Sequence, residues 1–99
     1  MAVAFIQEFE IADRSTDNYD QVKAQLGDDL QVPGLIVHTA GFDDAAGMFR
    51  IFDVWENGED ARSFYEDTLG PILAPILAAD PTATPPQRES TYELHDLIR

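Results

Sequence analysis

The run Asp53-Val54-Trp55-Glu56 passes directly into Asn57-Gly58-Glu59-Asp60, so an apolar strand has to end on a tryptophan at the doorstep of a helix. Asn57 suits an N-cap, and Glu59 and Asp60 suit the positive end of a helix dipole. Ala61, Phe64, Tyr65 and Leu69 then form an apolar stripe at helical spacing, which predicts a helix to about Leu69. Met48 to Trp55 reads as the strand that feeds it.

The remaining elements are placed around this junction. Val3 to Glu10 puts Val3, Phe5 and Phe9 on one face and Ala4 and Ile6 on the other, a strand pattern. Ser15, Thr16 and Asp17 are N-cap candidates for a helix carrying Tyr19, Val22 and Leu26, and Gly27 is placed to end it. Leu35 to Ala40 predicts a second strand, joined to the Met48 strand by a polar connection from Gly41 to Gly47. Pro71 opens a further short helix through Ile72, Leu73, Ile76 and Leu77, and Pro75 argues against a continuous one. Asp80 to Pro86 holds three of the six prolines and reads as an extended connector. Arg88 to Ile98 alternates as a fourth strand, with Tyr92, Leu94 and Ile98 on one side and Thr91, His95 and Leu97 on the other.

The order strand, helix, strand, strand, helix, strand is that of an α+β ferredoxin-like βαββαβ fold with a four-stranded antiparallel sheet, expected here as a single domain over residues 1–99. Its central strands, the first and third, are apolar on both faces. Two helices cover only one face of such a sheet, so the other needs a partner, and a second copy of the same sheet is the simplest one. A homodimer is therefore expected, forming a dimeric α/β barrel.

Six Lys and Arg against nineteen Asp and Glu give a net charge of -13, which argues against nucleic acid and anionic membrane surfaces as partners. Lys23, Arg50, Arg62 and Arg99 are the few cations that could offset this field locally. With no cysteine there is no disulfide, thiolate nucleophile or Cys-held metal. No basic leader and no apolar run near ~18 residues is present, so a cytoplasmic protein is the default expectation.

The strand exit Ile51-Phe52-Asp53-Val54-Trp55-Glu56, the helical aromatic Phe64, the following Leu69-Gly70-Pro71 and His38 together resemble the dimeric α/β-barrel proteins related to antibiotic-biosynthesis monooxygenases. The resemblance covers nearly the whole chain through diffuse motifs. It implies a small aromatic or hydrophobic ligand in an inter-sheet cavity, and cofactor-independent oxygenation or polyketide cyclisation with neither metal nor cofactor. Haem-degrading relatives carry a Trp and a later His on the second helix. Those positions fall near Phe64 and Ala74 here, so that proximal haem ligand is missing and only His38 or His95, on strands, could replace it.

His38, on a strand face with Ile36 and Ala40, reads either as a general base in a second-face pocket or as a satisfied structural histidine. Asp53 shares a face with Phe49, Ile51 and Trp55, a costly place for a carboxylate unless it is paired or wet. Arg50 projects to the other face and is not expected to pair with it. Trp55 either lines a ligand cavity or closes the core, and either Glu8 or Gln7 should point into the second-face cavity. The catalytic candidates are thus His38 and Asp53, with Trp55, Glu8, Phe64 and His95 as substrate-binding candidates. Helix and strand packing explains Tyr65 and Tyr92. The pairs Asp28-Asp29 and Asp43-Asp44 lack the ligand repeat of a calcium loop and read as solvated turns.

Overall fold

The computed structural model describes residues 1–11, 15–27, 31–81 and 85–98. Strand β1 (Val3–Glu10) leads through helix α1 (Asp17–Leu26) to β2 (Leu35–Asp43), which returns as β3 (Met48–Trp55). Helix α2 (Gly58–Ser63), a π-helical segment (Phe64–Leu69) and α3 (Gly70–Ala78) follow without a break, and β4 (Arg88–Glu93) closes the order. The strands lie β2-β3-β1-β4 with every neighbouring pair antiparallel, which is the ferredoxin-like arrangement expected from the sequence.

Strand register sorts the side chains into rows across the sheet. On one face Leu35, Trp55 and Val3 form a row, followed by His38, Asp53 and Phe5, then Ala40, Ile51 and Gln7. This face carries the helices: Trp55 and Val3 pack with Ala61 of α2, and Phe5, Phe64, Tyr65, Leu35 and Val32 close around them. Trp55 is the largest fully buried side chain, so it closes the core. On the other face Val37, Val54, Ala4 and Tyr92 form an apolar row, and Gly41, Arg50, Glu8 and Arg88 a charged one. Ala4 and Val54 are buried within the apolar row, but its ends, Val37 and Tyr92, are 41% and 48% exposed.

Three expectations are corrected. Strand β2 continues through Gly41, Phe42 and Asp43, because Phe42 pairs with Phe49 and extends the helix-side apolar face. The connection shrinks to a turn ending in Gly47 at φ +69°, with Asp43 accepting a hydrogen bond from the Ala46 amide at 3.2 Å. The helix does not break at the prolines. Pro71 has no amide to donate and its ring would crowd the carbonyl four residues back. The wider π turn absorbs this misfit, with the Gly70 amide bonding the Tyr65 carbonyl five residues away. Strand β4 stops at Glu93, and the Leu94 amide makes one last bond to the Ala2 carbonyl at 2.9 Å. His95 therefore lies past the strand and exposed, and the predicted alternation to Ile98 is not realised, Ile98 being 88% exposed. Asp28, Asp29 and Arg99 lie outside the described residues.

Two local devices hold the junctions. Asn57 caps α2 by accepting from the Asp60 amide at 2.8 Å, as its position predicts. Gly34, at φ +82°, lies so close to Asp60 that a Cβ there would meet the carboxylate. The Gly34 carbonyl accepts from the Glu56 amide at 2.7 Å, tying the start of β2 to the end of β3.

Candidate functional site

His38 and Asp53 come together because of a β-bulge. Leu35 pairs with Trp55, but the next register pair is Val37 with Val54, so Ile36 is the extra residue. In an unbroken register His38 would sit on the opposite face, since a shift of one residue inverts every side chain that follows. With the bulge, His38 faces Asp53 beneath the helices. This corrects the expected inter-sheet position of His38 and its shared face with Ile36.

The Asp53 side chain is only 5% exposed, and its two oxygens have separate partners. Oδ1 lies 2.5 Å from His38 Nδ1, and Oδ2 accepts from the Tyr65 hydroxyl at 3.0 Å. A carboxylate can only accept, which assigns the neutral imidazole's proton to Nδ1 and leaves a lone pair on Nε2. That lone pair is occupied by the Tyr19 hydroxyl, 2.7 Å away on α1. The result is a chain of four polar side chains from Tyr19 through His38 and Asp53 to Tyr65, drawn from α1, β2, β3 and the π-helical segment.

Aromatic contacts hold the chain in place. Tyr19 lies edge-on to Phe49 at 5.9 Å and nearly parallel to the His38 ring, with an interplanar angle of 7°. Tyr65 packs on Phe5 at 4.9 Å. Burial, with the Asp53 charge and hydrogen bond beside it, pushes the Tyr65 phenol well above its usual range. Burial also raises Tyr19, followed by the charges of Asp53 and Asp20. Both phenols are therefore held protonated as donors. The His38 side chain keeps 34% of its surface exposed, so the chain is open to solvent at the β2 edge.

The other predicted site residues go elsewhere. Trp55 and Phe64 pack on each other at 5.7 Å in the core beside Tyr65, and the Trp55 indole nitrogen has no hydrogen-bond partner among the described residues. Glu8 points to the far face, as one of Glu8 and Gln7 was expected to, where Arg50 bonds it at 3.1 Å and also pairs with Asp43. Arg50 thus does not reach Asp53. The Arg50 guanidinium and the Ala46 amide hold the Asp43 carboxyl below its usual range. His95 is not brought to His38. The sequence pattern explains Tyr19 and Tyr65 as packing residues and does not single them out; nothing local distinguishes Tyr65 from Phe64 beside it.

A cleft of about 420 Å³ lies between β1, β4 and α2, with Val3, Phe5, Gln7, Ala61, Arg62 and Tyr65 among its walls. It touches the polar chain through Tyr65. Among the described residues no group of three His, Cys, Asp or Glu side chains is placed to hold a metal ion, and no helix is long and apolar enough to cross a membrane.

No family model matches the sequence, and comparison with curated proteins finds no match. Solved structures do match. A Chloroflexus aurantiacus protein of the antibiotic biosynthesis monooxygenase type superposes with a TM-score of 0.68 at 12% identity, over 100% of this chain and 98% of its own. SnoaB from Streptomyces nogalater, a cofactor-independent oxygenase, gives 0.64 at 17% identity, covering 98% and 96%. A dimeric protein of unknown function and ferredoxin-like fold from Bacteroides fragilis gives 0.59 at 13% identity, covering 94% and 96%. The chain is thus similar, over its whole length, to antibiotic-biosynthesis-monooxygenase-like proteins, and at these identities the similarity establishes the ferredoxin-like fold.

Proposed function

We propose that the protein is a small-molecule enzyme that removes a proton from an aromatic or polyketide-like ligand, the cofactor-independent oxygenation or cyclisation that the resemblance implies. The observation that carries this reading is His38 held between the buried Asp53 carboxylate at 2.5 Å and the Tyr19 hydroxyl at 2.7 Å. Asp53 orients the imidazole and would stabilise the imidazolium formed on proton uptake, the work a carboxylate does behind a catalytic histidine. Tyr65 fixes the second oxygen of Asp53. Phe42, Phe49 and Tyr19 supply an aromatic surround. A hydroxylated anthrone or quinol suits such a site, because its carbanion can react with oxygen without a metal.

The reading includes a homodimer. The apolar row Val37, Val54, Ala4 and Tyr92 supports a second copy stacked on the face away from the helices, with Glu8, Arg50 and Arg88 at its polar end. Native mass spectrometry tests this through a particle of twice the 11.0 kDa chain mass. A monomer at micromolar concentration would refute it.

The competing reading, a non-catalytic ligand-binding or dimerisation module, is favoured by one contact: the base's lone pair is already engaged by Tyr19. Oxygen uptake with anthrone as probe separates the two. Wild-type turnover that falls by at least about 100-fold in His38→Gln supports the enzyme, in line with general-base contributions. No turnover favours the binding module, and turnover untouched in a folded His38→Gln protein refutes the role of His38 as the base.

A further inference from the structure

We infer that Tyr19 is the residue through which this site meets its substrate, its hydroxyl being the outer member of a Tyr19–His38–Asp53 triad. The inference rests on the general-base reading above and names a catalytic residue for it. Both ring nitrogens of His38 are occupied, Nδ1 by Asp53 at 2.5 Å and Nε2 by Tyr19 at 2.7 Å. No substrate proton reaches His38 directly while that arrangement stands. The Tyr19 oxygen, by contrast, spends its own proton on Nε2 and keeps its lone pairs, at a position only half-buried.

The connectivity of hydroxyl, imidazole and buried carboxylate is that of a hydrolase triad, with a phenol where a serine usually stands. The phenol is held for that role on two sides, edge-on by Phe49 at 5.9 Å and nearly parallel by the imidazole. Asp53 is in turn held by Tyr65 at 3.0 Å. Burial, Asp53 and Asp20 all disfavour a standing phenolate at Tyr19, so its proton leaves only as His38 takes it. The step then balances as follows. The substrate passes a proton to Tyr19 Oη as the original Tyr19 proton moves to His38 Nε2. The substrate retains the bonding electron pair as an anion, and the new imidazolium is neutralised by Asp53. No oxidant or further reactant enters this step.

Covalent labelling tests the activation without knowledge of the natural substrate. The full chain is treated with benzenesulfonyl fluoride, and modified tyrosines are located by peptide mass spectrometry. The Tyr19 oxygen attacks sulfur, the S–F bond breaks, fluoride leaves, and the phenol proton goes to His38. Tyr19 is expected to react at least about tenfold faster than Tyr92, a conservative fraction of the usual general-base effect, although Tyr92 is 48% exposed. His38→Gln and Asp53→Asn should reduce the Tyr19 rate to that of Tyr92.

Equal or faster labelling of Tyr92 in the wild type overturns the inference, whether or not the variants fold. So does a Tyr19 rate unchanged in a folded His38→Gln protein. Nitrogen-15 NMR of the wild-type imidazole keeps the two levels apart. A neutral ring protonated on Nδ1, together with slow Tyr19 labelling, rejects the role of Tyr19 and leaves His38 as the base. A ring without that proton on Nδ1 rejects both.

Discussion

Tyr65→Phe is the sharpest probe of the polar chain, because it deletes one oxygen and keeps the ring that packs on Phe5 at 4.9 Å and on Phe64 at 5.8 Å. What is lost is the 3.0 Å hydrogen bond to Asp53 Oδ2. Asp53 is 3% exposed and cannot recover that donor from bulk water. A hydrogen bond to a charged group is worth about 1.5 to 3 kcal/mol, and the lower part applies because Tyr65 is itself only half-buried. At about 1.5 to 2 kcal/mol, a chain of this size should lose roughly 6 to 16 °C in Tm. Thermal unfolding followed by circular dichroism measures it, with Tyr92→Phe as the control. That control removes a hydroxyl from a half-exposed ring and should stay within about 0.5 kcal/mol. A double-mutant cycle with Asp53→Asn should return a coupling of about 1 kcal/mol or more. A Tyr65→Phe protein as stable as the control, or a coupling near zero, would mean that Asp53 is not held from the helix side and that the chain ends at Asp53.

The raised Tyr65 phenol also sets an alkaline limit. In the unfolded chain it ionises near its ordinary value of 10.0, whereas the folded protein keeps the proton, so above that pH the unfolded state binds fewer protons and stability falls. The slope approaches about 1.4 kcal/mol per pH unit for this group, stability being fully present below pH 10. Urea unfolding at pH 9 to 11.5 should show that fall in the wild type and a shallower one in Tyr65→Phe; equal slopes would count against the assignment. Gly34→Ala should destabilise by about 2 kcal/mol or more, since it combines φ +82° with a Cβ placed 2.7 Å from the Asp60 Cβ. Gly27→Ala has the same φ with nothing within 4 Å, so it should lose less than Gly34→Ala, the backbone strain alone at about 1 to 3 kcal/mol. Equal urea midpoints for the two variants would show that the approach of Asp60 to Gly34 does not constrain the fold.

Much of this architecture is written in local pattern. Alternation defines β1 and β3, Asn57 and the carboxylates after it define the start of α2, and the order of elements leaves the ferredoxin-like sheet as the natural solution. These features depend on residues near one another in the chain, which is why they can be read without coordinates. The same reading placed Asp53 on an apolar face and required it to be paired, but it could not name the partners. Pairing depends on register, and register turned on Ile36: one extra residue in β2 carries His38 from the far face to a position opposite Asp53. Tyr19 and Tyr65 reach the same pair from two different helices, on a packing geometry that periodicity describes only as an apolar stripe. The continuous helix through Pro71 and Pro75 is likewise a tertiary outcome, since docking onto Trp55 and Phe5 favours a widened turn over a break. Composition and periodicity thus determined which faces had to be buried and which carboxylate had to be satisfied. Only the folded sheet, through one bulge and two helix-borne phenols, decided which side chains satisfy it.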